Sequence, residues 1–267
     1  MKQIIMIGSP LTHVRSPFFL RALIAADKRD IAVNLRELGI AELPTFVDEA
    51  RRMDDLLGMI VTTPLKNAIC GSLDRRTADV DFIGASNCVR CGGGTWSGAN
   101  FDGYGFAAAL RDAIDMGTRR RILLFGCGAA GSAIAASLVA IADVDLFLFD
   151  IDATRAAHFA KRLQGFAPAS SITAVPSPFV EADIVINAST AGMSKGDTSP
   201  IPDSILRRAS VVGDIVVDSD TALKREARAC GKILIEGEAM VKGQAEYLYR
   251  FILGEAASER EVLAAEP

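Results

Sequence analysis

Arg121-Ile-Leu-Leu-Phe125-Gly126-Cys-Gly128-Ala-Ala-Gly131 opens the stretch that decides the fold, and Val144-Asp-Leu-Phe-Leu-Phe-Asp150-Ile-Asp152 closes it. Residues 122–125 are an apolar run of strand length leading straight into Gly126-x-Gly128-x-x-Gly131. Small residues over 129–142 predict a buried helix, and a second apolar run ends on an acid. This is a strand, glycine turn, helix, strand unit. In such a unit Gly126 permits the tight turn, Gly128 lets the backbone approach a pyrophosphate, and Gly131 brings helix and strand together. The phosphates sit on N–H groups of the helix N-terminus, here Ala129 and Ala130, where the dipole favours negative charge. Asp150 follows Gly131 by nineteen positions, a distance at which a carboxylate accepts the adenosine ribose hydroxyls. A lone G-x-G-x-x-G says little. With the strand, the helix and the acid in place, it predicts a dinucleotide site.

The same stretch has a membrane reading. No charge interrupts 122–142, and Arg119, Arg120 and Arg121 precede it, a pattern long enough to span a bilayer. Glycines at fingerprint spacing and an Ala- and Ser-rich middle favour a half-buried strand plus a buried helix. The expectation is no membrane span. At 267 residues the chain has room for two domains. Hydrophobic residues at 50% and charged residues at 23% predict a globular chain. A net charge of −4 leaves no basic surplus for nucleic acid. Cys70, Cys88, Cys91, Cys127 and Cys230 are odd in number and irregular in spacing, which reads as reduced thiols. Cys88-x-x-Cys91 lacks a second pair, so no metal site is expected. The N-terminus reads as a first strand rather than a signal peptide, and the expected location is cytoplasmic.

Along the chain the expected elements alternate. Strands are predicted at 4–7, 32–38 and 58–64, the last ended by Pro64. Helices are predicted from Ser16-Pro17, with Ser16 as cap and Phe18, Phe19, Ala22, Leu23 and Ala26 on one face, at 43–57, and from Lys66 towards Asp74. A hairpin is expected over 85–96, turning at Gly92-Gly93-Gly94. After a crossing point at Asn100-Phe-Asp102-Gly103 come a helix at 104–116, the dinucleotide unit and a helix at 153–163. Strands at 172–175, 183–187, 210–217 and 232–235 follow, with helices at 221–230 and 240–253. The domain boundaries expected are 1–102 for substrate, 103–236 for the dinucleotide, and 237–267 for a helix packing back on the first domain.

A nicotinamide cofactor carries the hydride, so the protein must supply orientation and a proton donor or acceptor. Of the two histidines, His158 reads as surface and His13 as structural. Lys66, after a strand end, and Asp102, at the crossing point, remain; each is also an ordinary surface or turn residue taken alone. At these residues the chain resembles the shikimate/quinate dehydrogenase family. The likeness runs in order through Gly8-x-Pro10-x-x-His13-x-x-Ser16-Pro17, Val61-Thr62-x-Pro64-x-Lys66, Gly84-Ala85-x-Asn87 and Asn100-x-Asp102-Gly103-x-Gly105. It continues through Asn187-Ala-Ser189-Thr190-x-Gly192-Met193 and Gly237-x-x-Met240-x-x-x-Gln244. The resemblance implies a two-domain α/β enzyme: an N-terminal substrate domain and a Rossmann dinucleotide domain. Such an enzyme interconverts a ring hydroxyl and ketone on a cyclic hydroxy acid. It implies Lys66 and Asp102 as the proton-transfer pair, and Ser16, Thr62, Asn87 and Gln244 against substrate. Asn187, Ser189, Thr190, Gly192, Met193 and Gly237 fall at the cofactor.

The departures are informative. Val14 replaces the first of a serine pair, Ile60 an asparagine, Phe101 a threonine and Val217 a tyrosine, and the loop after Val217 is shortened. Four polar substrate contacts have become apolar while Lys66 and Asp102 remain, which predicts a working dehydrogenase with a changed substrate, and Phe101 narrowing the pocket. Ordinary shikimate dehydrogenase and a non-catalytic NAD-binding sensor are the alternatives. Asp150 stands where NADP users of the family carry Asn, and Ile151 where they carry a phosphate-binding Arg. NAD is therefore expected ahead of NADP. Arg155 is expected to face solvent; Arg15 is the one residue that could compensate by reaching a carboxylate bidentately, although its place on a helix-entry turn points more often to solvent. The expected partner is one small hydroxy acid, with no nucleic acid and no membrane, acting on a monomer or homodimer.

Overall fold

A computed structural model of the chain describes residues 1–12, 14–194, 196–217 and 219–255. His13 lies outside the described residues, as does the tail beyond Glu255. The chain forms two compact units: the first runs Met1–Phe101 and resumes at Gln244, and the second is Asp102–Gly243.

The first unit begins with β1 (Lys2–Gly8), α1 (Ser16–Ala26), β2 (Ile31–Glu37), α2 (Leu43–Ala50) and β3 (Leu56–Val61). It continues through a 3-10 turn at Ala68–Ser72, β4 (Arg75–Arg76), α3 (Ala78–Ile83), β5 (Cys88–Gly92) and β6 (Thr95–Ala99). Its sheet has the order β2-β1-β3-β5-β6-β4. β1 lies parallel to β2 and β3, while β5 and β6 form an antiparallel hairpin turned by Gly93 and Gly94, at φ 58° and 76°. Ile5, Ile7, Met59 and Val61 point to one face and pack on Leu43, Phe46, Val47 and Ala50 of α2. Strand alternation sends Ile60 to the opposite face.

Four expectations fail in this unit. The predicted 43–57 helix stops at Ala50, because Leu56 onward pairs with β1 and backbone bonding in the sheet overrides the helical spacing of Met53 and Leu57. The helix expected after Lys66 is only the 3-10 turn: Asp74 donates its N–H to Trp96 O at 2.9 Å and Arg75–Arg76 pairs with β6, drawing the chain into the sheet. On α1 the buried stripe is Ser16, Leu20 and Ile24, not the Phe18 face. Phe18, two residues and about 200° around from Ser16, is 65% exposed. Arg15, not Ser16, holds the cap position.

The second unit holds α4 (Asp102–Ala113), β7 (Arg120–Phe125), α5 (Ala129–Ile141), β8 (Val144–Phe149), α6 (Ala153–Phe166) and β9 (Ser171–Ala174). Next come β10 (Ile184–Asn187), α7 (Asp203–Arg208), β11 (Val211–Asp214), α8 (Ala222–Ala229), β12 (Ile233–Glu236) and the start of α9 (Gly237–Leu253). The strands are parallel in the order β12-β11-β10-β7-β8-β9. Chain order therefore reverses between β7 and β10. In an open parallel sheet that reversal leaves a crevice at the strands' carboxyl ends, where a dinucleotide lies. The suspect 122–142 run is strand β7 with helix α5; among the described residues no helix is long and apolar enough to cross a membrane.

From Gln244 onward α9 belongs to the first unit. Ala245, Leu248, Tyr249 and Ile252 are buried there. Cys88 Sγ, on β5, lies 3.8 Å from Leu248 O, and Arg250 pairs with Asp27 beyond α1 at 2.9 Å. The C-terminal helix thus covers the sheet face opposite α2.

Candidate active site

The carboxyl ends of β1 and β3 sit side by side in the first unit. Thr62 N donates to Ile7 O and Ser9 N to Thr63 O, both at 2.9 Å. Lys66 follows in the next turn, and its carbonyl accepts Ser86 N at 2.8 Å. That bond ties the lysine's backbone to the segment entering β5. Asn87, buried at the same strand, donates Nδ2 to Gln244 Oε1 at 2.8 Å and accepts Phe101 N on Oδ1 at 2.9 Å. The bonds fix both amides: with Oε1 occupied, Gln244 presents its NH2 as the group for a ligand oxygen. Ser16 is buried at the head of α1, with Val14 and Arg15 half-buried before it. The solvent-facing expectation for Arg15 does not hold.

Phe101 packs against the rings of α9. It is 1% exposed, with its ring stacked on Tyr247 at 6.0 Å and edge-on to Phe251 at 5.7 Å. A large ring gains more from that apolar groove under α9 than from a polar site. Ile60, 3% exposed, is likewise closed into the core.

Asp102 begins the second unit, buried in the first turn of α4, where the helix dipole favours a carboxylate. The helix starts two residues before the sequence reading placed it. At the glycine-rich turn Gly126 takes φ 92°, and a Cβ on Gly131 would strike Gly126 O. Gly128 is the exposed cap of α5 with open space before it and no side-chain cap, so the amides of Ala129 and Ala130 are left for an anion. This cradle fits a pyrophosphate.

Asp150 follows β8 directly and is buried. Its carboxylate accepts Cys127 N at 2.7 Å and Asp152 N at 2.9 Å. Arg155, expected to face solvent, instead reaches back and holds both Asp150 oxygens at 3.3 Å and Asp152 at 3.4 Å. Asp152 caps α6 by accepting Arg155 N, which sets the arginine at the height of both acids. Two carboxylates against one guanidinium leave this corner with a net negative charge. Ile151 is 98% exposed and offers no donor. Burial, with Asp150 as a neighbouring charge, pushes the Cys127 thiol up to about 12, so it stays protonated.

At the other half of the crevice, the loops after β10 and β11 are stapled to each other. Asn187, fully buried, donates Nδ2 to Ala191 O at 3.0 Å and to Asp214 Oδ1 at 3.1 Å, and accepts Ser189 on Oδ1. Its amide shapes the loop; the loop's outer residues are Thr190 and Met193, both exposed. Gly192 is buried where a Cβ would press on Thr221, and Gly237 where one would strike Ile215 and Val217. Asp214 accepts Thr221 Oγ1 at 2.5 Å and Val216 N at 3.2 Å. Burial holds its carboxyl above the ordinary range, offset in part by Thr221, Val216, Lys224 and Asn187.

Over 249 residues the chain is 35% identical to the shikimate dehydrogenase (NADP(+)) of Arthrobacter sp., a match covering 88% of this chain and 85% of that protein. The chain belongs to the shikimate dehydrogenase family. It is a nicotinamide-dependent oxidoreductase acting on a CH–OH group. A family profile for the shikimate dehydrogenase substrate binding domain matches residues 6–89. Among solved structures, a quinate dehydrogenase from Corynebacterium glutamicum in complex with NAD is 26% identical, with a TM-score of 0.82 and 99% of both chains covered. A shikimate 5-dehydrogenase from Thermus thermophilus in complex with NADP(H) and shikimate is 25% identical, with a TM-score of 0.83, covering 99% of this chain and 100% of that one.

Within the family frame, the first unit brings together Thr62, Lys66, Asn87 and Gln244, and the second the glycine turn, Asp150 and Arg155. Sequence reasoning missed two residues. Arg155 was readable in principle, since it stands one helical turn past the cap and the acids. Lys224, buried on α8, gave no such sign, because basic residues surround it in Lys224-Arg-Glu-Ala-Arg228.

Proposed function

We propose that the chain interconverts a ring hydroxyl and ketone on a cyclic hydroxy acid less hydroxylated than shikimate, using NAD ahead of NADP. What carries this is a division among the family's substrate positions. Asn87 and Gln244 keep their polar pairing, whereas Ile60 and Phe101 are closed into the core and Val14 and Val217 offer only apolar surface. A hydroxyl or carboxylate oxygen that loses its partner on entering such a site costs about 1–3 kcal/mol, more if charged.

The bound nicotinamide supplies the hydride acceptor, and this chain's own groups do the rest. Lys66 takes the hydroxyl proton in oxidation and returns it in reduction, stabilising the developing alkoxide as an ammonium. Asp102 works with it in that step. Ser16, Thr62, Asn87 and Gln244 hold the acid's oxygens. Ala129 and Ala130 hold the pyrophosphate, Asp150 the ribose, and the 189–193 loop with Gly237 lines the nicotinamide end. The protein acts in the cytoplasm, as a monomer or homodimer.

The test is steady-state oxidation of shikimate, quinate and ring acids lacking one or two of their hydroxyls, with each cofactor. The expected order places a less hydroxylated acid first and NAD ahead of NADP. A kcat/KM on shikimate of about 10⁴ M⁻¹s⁻¹ or above, with NADP preferred, favours the second reading. That reading is ordinary shikimate dehydrogenase, the activity named for the Arthrobacter relative.

A further inference from the structure

Lys224 carries a charge where its helix needs a hydrophobe. α8 buries Leu223, Lys224 and Ala227, and the lysine side chain is 3% exposed. A buried ammonium is costly unless its N–H groups find acceptors. Here Nζ donates to Val216 O at 2.6 Å and to Ser219 O at 2.9 Å, and Glu236 stands as an ion-pair partner at 3.5 Å. Both carbonyls belong to the shortened loop between β11 and α8. The same loop is fixed from its other side, where Thr221 caps α8 through Lys224 N and bonds Asp214. Gly237 closes on it through Ile215 and Val217.

We infer that Lys224 is a positioning residue for the nicotinamide end of the site, acting by clamping the carbonyls of Val216 and Ser219. The placement follows from the sheet. A dinucleotide crossing the β7/β10 reversal with its adenosine at Asp150 lays its other half over the ends of β10 and β11, where the clamped loop and the Asn187 staple meet. The loop is short and carries Val217 where the family resemblance expects a tyrosine; the Lys224 cation beneath it gathers the carbonyls of Val216 and Ser219, which lie beyond the end of β11. The inference rests on the dinucleotide reading of this unit.

The test compares the full-length protein with Lys224→Met, which keeps length and loses charge. Titration with ADP-ribose reports the adenosine half, and its binding to the native protein checks the dinucleotide reading separately. Lys224→Met should bind ADP-ribose within twofold of native. It should lose the extra affinity that NAD has over ADP-ribose, and drop kcat at least tenfold. Amide exchange at Ile215, Val216 and Ser219 should quicken at least tenfold, with the 126–131 turn unchanged. Glu236→Gln, which removes only the half-exposed partner, should stay within threefold on every measure. Native-like exchange and turnover in Lys224→Met, or equal losses for NAD and ADP-ribose, overturns the inference. So does damage from Glu236→Gln as large as that from Lys224→Met. Should Lys224→Met fail to fold, amide exchange on the native protein without nucleotide decides: the three loop amides must already be protected, and free exchange there overturns the clamp.

Discussion

In the proposed reading the Asp150 carboxylate selects the nucleotide, and Arg155, which pairs with it, moderates the selection. Ribose hydroxyls donate to the carboxylate, whereas a 2′-phosphate meets two acids and one arginine. NAD should therefore give the higher kcat/KM. Asp150→Asn with Ile151→Arg should narrow or invert the ratio. Arg155→Ala should widen it, since the remaining cation at the corner is gone while both acids stay. A ratio that falls in Arg155→Ala shows the arginine serving NAD rather than tempering the repulsion of NADP. The glycine turn and the acid after β8 were legible in sequence because they follow fixed local spacing, whereas Lys66 stood out only through the family resemblance. Arg155 and Phe101 were not legible: one depends on where a rotamer reaches, the other on a groove made by a helix some 150 residues later in the chain.

Elements were legible where one periodicity ruled. β7, α5 and β8 follow from the pattern alone, because strand, turn and helix are contiguous and satisfy each other. Leu56 and Leu57 misled because a strand pairing with β1 outweighed a helical stripe, and short α3 and α7 carry too few turns for a period to show. The β11–α8 connection illustrates what such local readings omit, a buried acid facing a buried base. Burial raises the Asp214 carboxyl above its ordinary range. A raised acid binds its proton more tightly folded than unfolded, so its contribution to stability is full below the unfolded value and is lost as pH rises through the folded one. The gap in Tm between the native protein and Asp214→Asn should therefore be widest below about pH 4 and narrow as pH rises towards 7. A gap that widens with pH instead would show the carboxylate, held by Thr221, Asn187 and the Val216 amide, to be the form the fold prefers.

At the scale of the whole molecule the sequence runs through one unit, then a second, then back to the first. Lys66 lies in the first unit and Asp102 opens the second. Lys66→Ala and Asp102→Asn should each cost roughly 10²–10⁴ in rate, and the double variant little more than either, because groups acting in one step are not additive. Near-normal turnover in Lys66→Ala removes the assignment. The return of the chain can be tested by ending it after Gly243. Leu248, Tyr249 and Ile252, all buried in the first unit, are then lost. At about 2 kcal/mol per buried side chain that removes roughly 6 kcal/mol from a fold whose whole stability is about 5–15 kcal/mol. Phe101 loses Tyr247 and Phe251, and Asn87 loses Gln244. The second unit keeps its sheet, its glycine turn and Asp150. The truncated chain should therefore fail to turn over any ring acid and lose the first unit's melting transition, while still binding ADP-ribose with an affinity near native. Turnover surviving the truncation would mean that the first unit closes its core without the C-terminal helix. Lost ADP-ribose binding would mean that the second unit cannot stand without the first.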